Sequence, residues 1–227
     1  MEFAGKKVLI LGGHGYIGSR LQQVLSQQHT VDIVDTNWYN NDQQEFLADY
    51  HDLSKEYYAN YDVIVVLAGH SSVKSCDGPI KGPWLNNVSN FEELLTKVSA
   101  SQLVIYASSA SVYGNSRPGE RHSEGYVKFT PVNNYDITKY ALDLAAQAAI
   151  HRGKSVVGLR FGTVNGWSPT LRTDVMINAM YASAMANQQI TVTNSHISRA
   201  ILGLEDLARA VETIIDTPRA GIYNLAS

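Results

Sequence analysis

Cysteine is nearly absent from this sequence. Cys76 is the single cysteine among 227 residues, so the chain can form no internal disulfide and no cysteine-based zinc site. The seven histidines show no His-x-x-x-His spacing or similar ligand pattern. We therefore predict that the protein binds no metal ion.

Clusters of basic residues and long apolar runs are also lacking. With 18 Lys and Arg against 21 Asp and Glu, the formal net charge is −3. A nucleic-acid-binding surface needs a concentration of positive charge that this sequence does not have, so we expect no nucleic-acid partner. The first apolar run, at residues 8–11, is far too short for a signal peptide or a membrane span. These features predict a soluble protein of the cytoplasm, with no membrane partner.

Short runs rich in Val and Ile alternate with longer amphipathic stretches. Hydrophobic residues make up 44% of the chain, which is enough for a buried core, and the length fits one domain or one and a half. Continuous apolar runs are typical of strands buried on both faces of a parallel sheet. The alternation of strand and helix therefore predicts an α/β fold, a doubly wound parallel sheet of the Rossmann type. The predicted strands are residues 8–11, 31–34, 63–67, 103–106 and 156–159, and the helices between them are 17–27, 87–99 and 135–151.

The pattern changes after residue 162. From there to about residue 196 the sequence is irregular or helix-like, and residues 190–193 have the pattern of a short strand. Residues 205–216 then have the pattern of a helix, and residues 222–225 that of a last strand. We predict that this helix and strand return to the main sheet.

A glycine-rich loop joins the first predicted strand to the first helix. It contains Gly12, Gly15 and Gly18, with a further glycine at position 13. A strand that turns sharply into a helix, with its backbone close to a pyrophosphate, leaves no room for side chains. The N–H groups at the start of the helix, where Tyr16 and Ile17 lie, can also bind phosphate. The loop therefore predicts a dinucleotide site, and a tight turn without a ligand is the alternative.

The second predicted strand ends at Asp35. An acid at this place can accept hydrogen bonds from the adenosine ribose and repels a 2′-phosphate, which favours NAD over NADP. A solvated acid at a strand end is the alternative. Asp52 and Leu53 precede the third strand and could flank the adenine, although an ordinary loop acid explains Asp52 nearly as well.

A serine-rich strand end and a Tyr-x-x-x-Lys pair follow the glycine loop and Asp35 along the chain. Tyr135 and Lys139 lie one turn apart on one face of a predicted helix. An ammonium group beside a phenol favours the phenolate, so we expect Lys139 to lower the pKa of Tyr135. Such a tyrosine can take a proton from an alcohol while hydride leaves for the cofactor. The alternative is an ordinary pair on a helix surface.

These motifs resemble the extended short-chain dehydrogenase/reductase family, and within it the NAD-dependent epimerase/dehydratase group. The resemblance covers nearly the whole chain, from the glycine loop to residues 221–227. Leu67, Ala68 and Gly69 resemble the strand end that passes under the cofactor, and residues 86–88 resemble the family's Asn-Val helix start. The block at residues 108–114 is similar to the Ser-Ser-x-x-Val-Tyr-Gly block of the family, which assigns the substrate-contacting hydroxyl to Ser109.

The resemblance also implies a substrate side. Asn178 is similar to the asparagine that meets the nucleotide part of the substrate, and Arg199 is similar to an arginine that contacts a diphosphate. An arginine paired with Glu205 or Asp206 is the alternative for Arg199. Members of the family usually extend well beyond the position of Ser227, so we expect a small, curtailed substrate-binding subdomain. The implied domains are an NAD-binding Rossmann domain (1–161), a partial substrate-binding region (162–198) and a returning helix and strand (199–227).

One departure from the family pattern narrows the expected reaction. Dehydratases of the group carry an Asp-Glu pair where this sequence has Ala110 and Ser111, so elimination of water would lack its acid and base. We therefore expect an NAD-dependent epimerase of a nucleotide-sugar. The alternatives are a one-way sugar or ketone dehydrogenase and a non-catalytic NAD-binding protein. The family resemblance also implies a homodimer formed by the helices at residues 91–99 and 135–151.

Overall fold

The computed structural model describes residues 5–38, 47–114, 119–125, 130–192 and 195–226. Its centre is a six-stranded parallel sheet. The strands of this sheet are β1 (Lys7–Leu11), β2 (Thr30–Val34), β3 (Val63–Val66), β4 (Leu103–Ser109), β5 (Ser155–Phe161) and β8 (Gly221–Leu225), while β6 and β7 lie outside it. The strand order is β2-β1-β3-β4-β5-β8. The predicted Rossmann-type sheet is confirmed, including the return of the last strand, which pairs with β5.

Helices cover both faces of the sheet. Alternate residues of the central strands belong to two separate cores, since Val8 and Ile10 pack on one face while Leu9 and Leu11 pack on the other. Apolar side chains are thus buried on both sides of every central strand, which explains the continuous apolar runs of the sequence. The helices are α1 (Tyr16–Leu25), α2 (Lys55–Tyr58), α3 (Lys81–Trp84), α4 (Asn90–Lys97), α5 (Asn134–His151), α6 (Met176–Asn187) and α7 (Leu204–Asp216). Within the described ranges, none of them is long and apolar enough to cross a membrane.

The chain leaves the sheet after β5 and forms a small second layer before it returns. There β6 (Thr163–Asn165) pairs in parallel with β7 (Ile201–Gly203). The strand predicted at residues 190–193 is wrong for its described part, because residues 190–192 have no strand partner. Ile190 and Val192 are 52% and 60% exposed, so their apolar character does not reflect burial in a sheet.

A π-helical turn, Leu85–Ser89, precedes α4 where the sequence predicted regular helix from residue 87. π-Helical turns are rare in proteins as a whole, and those that occur often lie at functional sites. Here the turn places the Asn87 side chain against the end of β3, where it bonds the backbone of His70. The local departure from α-helix therefore lies next to the carboxyl edge of the sheet.

Candidate active site

The glycine loop is built from close backbone contacts. Gly12 has φ +84°, and a Cβ there would lie 2.7 Å from the backbone nitrogen of Ala68. A Cβ on Gly18 would lie 2.4 Å from the carbonyl oxygen of Gly12. Gly15 is less crowded, because a Cβ there would lie 3.3 Å from its nearest neighbour, the carbonyl oxygen of Gly12, and the residue lines an open cleft. A residue with a side chain at Gly12 would push the loop away from the end of β3, and one at Gly18 would push α1 away from the loop.

The start of α1 is suited to an anion. The helix begins at Tyr16 directly after the loop, has no side-chain cap and has no acidic residue in its first turn. Its first N–H groups and the positive end of its dipole are therefore available to a phosphate. With the glycine cradle, these features fit the pyrophosphate of a dinucleotide.

Asp35 lies at the cleft and shapes its own surroundings. One carboxylate oxygen accepts the backbone N–H of His14 at 2.9 Å, and the other accepts that of Asn37 at 2.7 Å. Each oxygen of an ionised carboxylate can accept further bonds, so both remain able to bind hydroxyl groups. The position and chemistry of Asp35 fit an adenosine ribose.

Asp52 and Leu53 lie outside the lining of this cleft. Asp52 is exposed in a short 3₁₀ turn, while Leu53 is 7% exposed within the core behind the sheet. Ala48 and Tyr50 line the cleft in their place, and the Tyr50 hydroxyl donates to the carbonyl of Asn86. Leu67, Ala68 and Gly69, which resemble the strand end under the cofactor in the family, line the cleft after β3.

The cleft has a volume of about 1600 Å³ and brings the two halves of the predicted site together. It extends from the glycine loop and Asp35 to Arg199. Between these ends it is lined by Ser109, Tyr135 and Lys139. Residues from β1, β4, α5 and the segment before β7 therefore meet in one space, as expected at the carboxyl edge of a parallel sheet.

The position of Tyr135 depends on how α5 begins. The Asn133 side chain caps the helix by accepting the backbone N–H of Asp136 at 2.9 Å. In return, Asp136 accepts a bond from the Asn133 side-chain amide at 3.0 Å. This reciprocal cap fixes the first turn of the helix, in which Tyr135 lies.

Burial and hydrogen bonding shift the pKa of Tyr135 in opposite directions. Burial raises the pKa of the phenol above its usual range, while a hydrogen bond with Ser109 lowers it. The sequence predicted that Lys139 would be the group that lowers this pKa. Instead the Lys139 Nζ donates to the carbonyl of Ala107 at 2.8 Å and lies 5.8 Å from the centre of the Tyr135 ring. The difference arises because the ammonium group is held by β4 rather than by the phenol oxygen.

Lys139 is itself strongly affected by its surroundings. Its side chain is buried, and burial lowers its pKa to about 8, although the nearby Asp143 carboxylate favours the charged form. Ser109 ends β4, and its Oγ accepts the backbone N–H of Ser111 at 3.2 Å. The arrangement can therefore hold a proton-transfer group, a buried cation and an orienting hydroxyl on one wall.

Asn87 is a residue whose role the sequence did not assign. Its Oδ1 accepts the backbone N–H of His70 at 2.8 Å, and its Nδ2 donates to the Thr138 hydroxyl at 3.0 Å. Thr138 lies between Tyr135 and Lys139 on α5. Asn87 thus ties the end of β3 to the helix that carries the Tyr-Lys pair.

Asn178 does not line the cleft. Its Oδ1 accepts the backbone N–H of Gly166, and its Nδ2 donates to the Tyr16 hydroxyl and to the carbonyl of Arg172, all within 3.1 Å. Tyr16 lines the cleft and also donates to the carbonyl of Gly166 at 2.7 Å. Asn178 therefore fastens α1 to the loop after β6 and leaves no amide group directed at the cleft.

Arg172 also escaped the sequence analysis, because no motif singled it out. Its guanidinium forms a two-point pair with Asp174 at 2.9 and 2.7 Å, and a third nitrogen donates to the Ser71 hydroxyl at 3.3 Å. It lines the cleft, and its charge lowers the pKa of Tyr135. The residue therefore bridges the small second layer to the loop after β3.

Arg199 lies exposed at the far end of the cleft. It has no hydrogen bond or ion pair with any other residue that the structure describes. The alternative pairing with Glu205 or Asp206 is wrong, because Glu205 binds Arg20 at 2.9 and 2.8 Å and Asp206 binds Arg209. The guanidinium is thus available to a ligand.

The chain belongs to the NAD dependent epimerase/dehydratase family, whose sequence profile matches residues 8–226. It is therefore an enzyme of this family, and NAD is its cofactor. It is similar to the ADP-L-glycero-D-manno-heptose-6-epimerase of Pseudomonas paraeruginosa, with 29% identity across 97% of this chain and 73% of the relative.

Solved structures share the fold at lower identity. The UDP-N-acetylglucosamine 4-epimerase of Methanobrevibacter ruminantium has a TM-score of 0.84 and 23% identity, covering 98% of this chain and 77% of that protein. The UDP-glucuronic acid 4-epimerase of Bacillus cereus, in complex with UDP-glucuronic acid and NAD, has a TM-score of 0.79 and 20% identity, covering 97% and 77%.

Proposed function

We propose that this protein is an NAD-dependent epimerase of a nucleotide-linked sugar. The observation that carries the proposal is the convergence of Ser109, Tyr135 and Lys139 on one wall of a cleft that begins at the glycine loop and Asp35. Proton-transfer groups and a dinucleotide cradle thus share one space. Redox chemistry at a sugar hydroxyl needs both.

In this proposal Tyr135 takes the proton of a sugar hydroxyl when the sugar is oxidised and returns it when the sugar is reduced. Bound NAD supplies the acceptor and then the donor of the hydride. The hydrogen bond from Ser109 favours the phenolate, which opposes the effect of burial on the pKa of Tyr135. Lys139 holds a buried positive charge near the phenolate. Rotation of the oxidised sugar between the two hydride transfers would invert the carbon.

Ser109 would orient the reacting oxygen, because its hydroxyl lies at the end of β4 and is near enough to Tyr135 to lower the pKa of the phenol. Ala110 and Ser111 follow it and offer no carboxyl group for the removal of water. We therefore propose epimerisation rather than dehydration.

The relatives support a nucleotide-sugar as substrate. The Pseudomonas paraeruginosa relative is an epimerase of an ADP-sugar, and the two solved structures are epimerases of UDP-sugars. Arg199, exposed at the cleft and without a partner among the described residues, is the group that we propose for the substrate diphosphate. A guanidinium can hold phosphate oxygens through paired, charge-assisted bonds. For Asn178 we propose a positioning role, because its amide bonds support Tyr16 and the loop after β6.

We further propose the cytoplasm as location and a homodimer as assembly. NAD and the proposed substrate both carry diphosphate groups, which do not cross a bilayer unaided. Helices α4 and α5 pack side by side, and α5 exposes Leu144 with 48% of its surface accessible, which suits contact with a second copy.

The domain division at residues 161 and 198 stays a prediction, although β5 ends at Phe161 and the second layer begins at Thr163.

Incubation with NAD and a panel of ADP- and UDP-sugars, followed by proton NMR of the sugar, tests the reaction. We expect an epimer to form without accumulation of NADH. Tyr135→Phe should abolish turnover while NAD affinity stays nearly unchanged, and Tyr140→Phe, on the next turn of the same helix, is the control. Net NADH formation would favour a one-way dehydrogenase, and an active Tyr135→Phe variant would remove Tyr135 from the mechanism.

A further inference from the structure

Trp38 lies at the rim of the cleft, shortly after Asp35. The indole is 59% exposed and lines the cleft next to the predicted ribose-binding carboxylate. Its ring meets the ring of His70 edge to face, with centroids 5.0 Å apart and planes at 86°. A large aromatic surface thus stands open beside the adenosine end of the dinucleotide site.

The turn that presents Trp38 is fixed by Asp35. Asn37 has φ +54°, a left-handed conformation that asparagine tolerates better than most residues. Its backbone N–H donates to the Asp35 carboxylate at 2.7 Å. The same carboxylate that is proposed to bind the ribose therefore orders the residue immediately before Trp38.

His70 is a firmly held support for the indole. Its backbone N–H and carbonyl both bond the amide of Asn87, at 2.8 and 3.1 Å. Its Nδ1 lies 3.4 Å from the Asn86 amide nitrogen, and burial lowers the pKa of the ring, which favours the uncharged form of the imidazole. An uncharged, fixed ring can pack against Trp38 at little cost.

We infer that Trp38, supported by His70, covers the adenosine half of bound NAD. An exposed indole next to a nucleotide site gains most by packing on a flat aromatic surface, and the adenine base offers one. The nicotinamide half belongs in the middle of the cleft, beside Tyr135 and Lys139. The inference rests on the proposed contact between Asp35 and the ribose.

Intrinsic fluorescence distinguishes Trp38 from the other two tryptophans, because neither Trp84 nor Trp167 lines the cleft. Titration with NAD or with ADP-ribose should quench the emission of the wild type. The change should be lost in Trp38→Phe and kept in the matched controls Trp84→Phe and Trp167→Phe. Quenching that survives in Trp38→Phe would overturn the inference.

Calorimetry separates this contact from cofactor binding as a whole. Trp38→Ala should bind NAD and ADP-ribose about tenfold more weakly or worse, since stacking on a base is worth roughly that much. Trp38→Phe should lose less, because it keeps an aromatic ring. If Trp38→Ala binds both ligands as tightly as the wild type, the inference fails while NAD binding stands. If the wild type binds no NAD, the cofactor assignment and the inference fail together.

Discussion

The guanidinium of Arg160 donates from Nε to the Asp143 carboxylate at 2.8 Å, and the two side chains are only 8% and 2% exposed. The pair does not stand alone. The Tyr106 hydroxyl donates to the other oxygen of Asp143 at 2.8 Å, and Arg160 also donates to the Tyr113 hydroxyl at 2.8 Å. These bonds join α5 to β4, β5 and the turn after Ser109, one helical turn beyond Lys139.

Removal of the Asp143 charge should destabilise the fold strongly. Asp143→Asn would leave the Arg160 cation buried without its counter-ion, at a cost of about 3–5 kcal/mol in the free energy of unfolding. The control is Asp206→Asn at the exposed pair with Arg209, where we expect a loss of less than about 1 kcal/mol. Urea unfolding of both variants measures the difference. Equal losses would mean that the buried pair is no more important than a surface pair.

Lys139 should make stability depend on pH. The folded protein releases this proton near pH 8, whereas the ordinary lysine value is 10.5. Between these values the unfolded chain binds more protons, so this group increases stability as the pH rises. Unfolding at about pH 7.5 and about pH 9.5 should show that Lys139→Met lacks about 2 kcal/mol of the gain that the wild type has. Parallel pH dependence in the two proteins would contradict burial of a charged Lys139.

Asp35 should select the cofactor. Asp35→Ala should weaken NAD binding roughly 10- to 100-fold, because bonds to a charged acceptor are lost, and should narrow the preference over NADP. Asp52→Ala is the matched control, since Asp52 is exposed and does not line the cleft. Calorimetric titration of the wild type and both variants with NAD and with NADP gives the six affinities. Wild type that binds NADP as tightly as NAD would show that Asp35 does not face the ribose.

Arg199 should bind the substrate diphosphate. We expect Arg199→Ala to weaken binding of UDP or ADP by roughly 1.5–3 kcal/mol, the range for hydrogen bonds to charged groups, with NAD binding unchanged. Arg219→Ala removes an exposed arginine outside the cleft and should have no effect. The titration is done in saturating NAD. A wild type without affinity for any nucleoside diphosphate would refute the nucleotide-sugar substrate.

The proposed dimer should depend on the outer face of α5. Leu144→Glu would place a charge in the apolar contact and should yield monomers in light scattering at tens of micromolar, where the wild type is dimeric. Met185→Glu on α6 changes an even more exposed apolar residue, at 69%, and should leave the dimer intact. A monomeric wild type would exclude the assembly.

Much of the site could be predicted because its motifs are local. The glycines from Gly12 to Gly18 and the Tyr135–Lys139 pair each lie within a few consecutive residues. The strand or helix that contains them fixes their relative positions. Contacts between distant segments could not be read in this way. The amide of Asn178 supports Tyr16 rather than lining the cleft, and the acids near Arg199 bind other arginines, because partner choice depends on which side chains folding brings within about 3 Å.

The sequence by itself determined the strands, the main helices, the glycine cradle and the order of the Ser-Tyr-Lys set. The spacing of apolar residues identifies strands and helices, and the steric limits of the backbone identify the glycine positions, because both depend on only a few consecutive residues. Only the tertiary structure decided that Asp143 meets Arg160, that Trp38 meets His70, and that Lys139 bonds Ala107 rather than the phenol of Tyr135. These contacts depend on how strands and helices pack in space. The distance between two residues along the chain does not predict whether this packing brings them into contact.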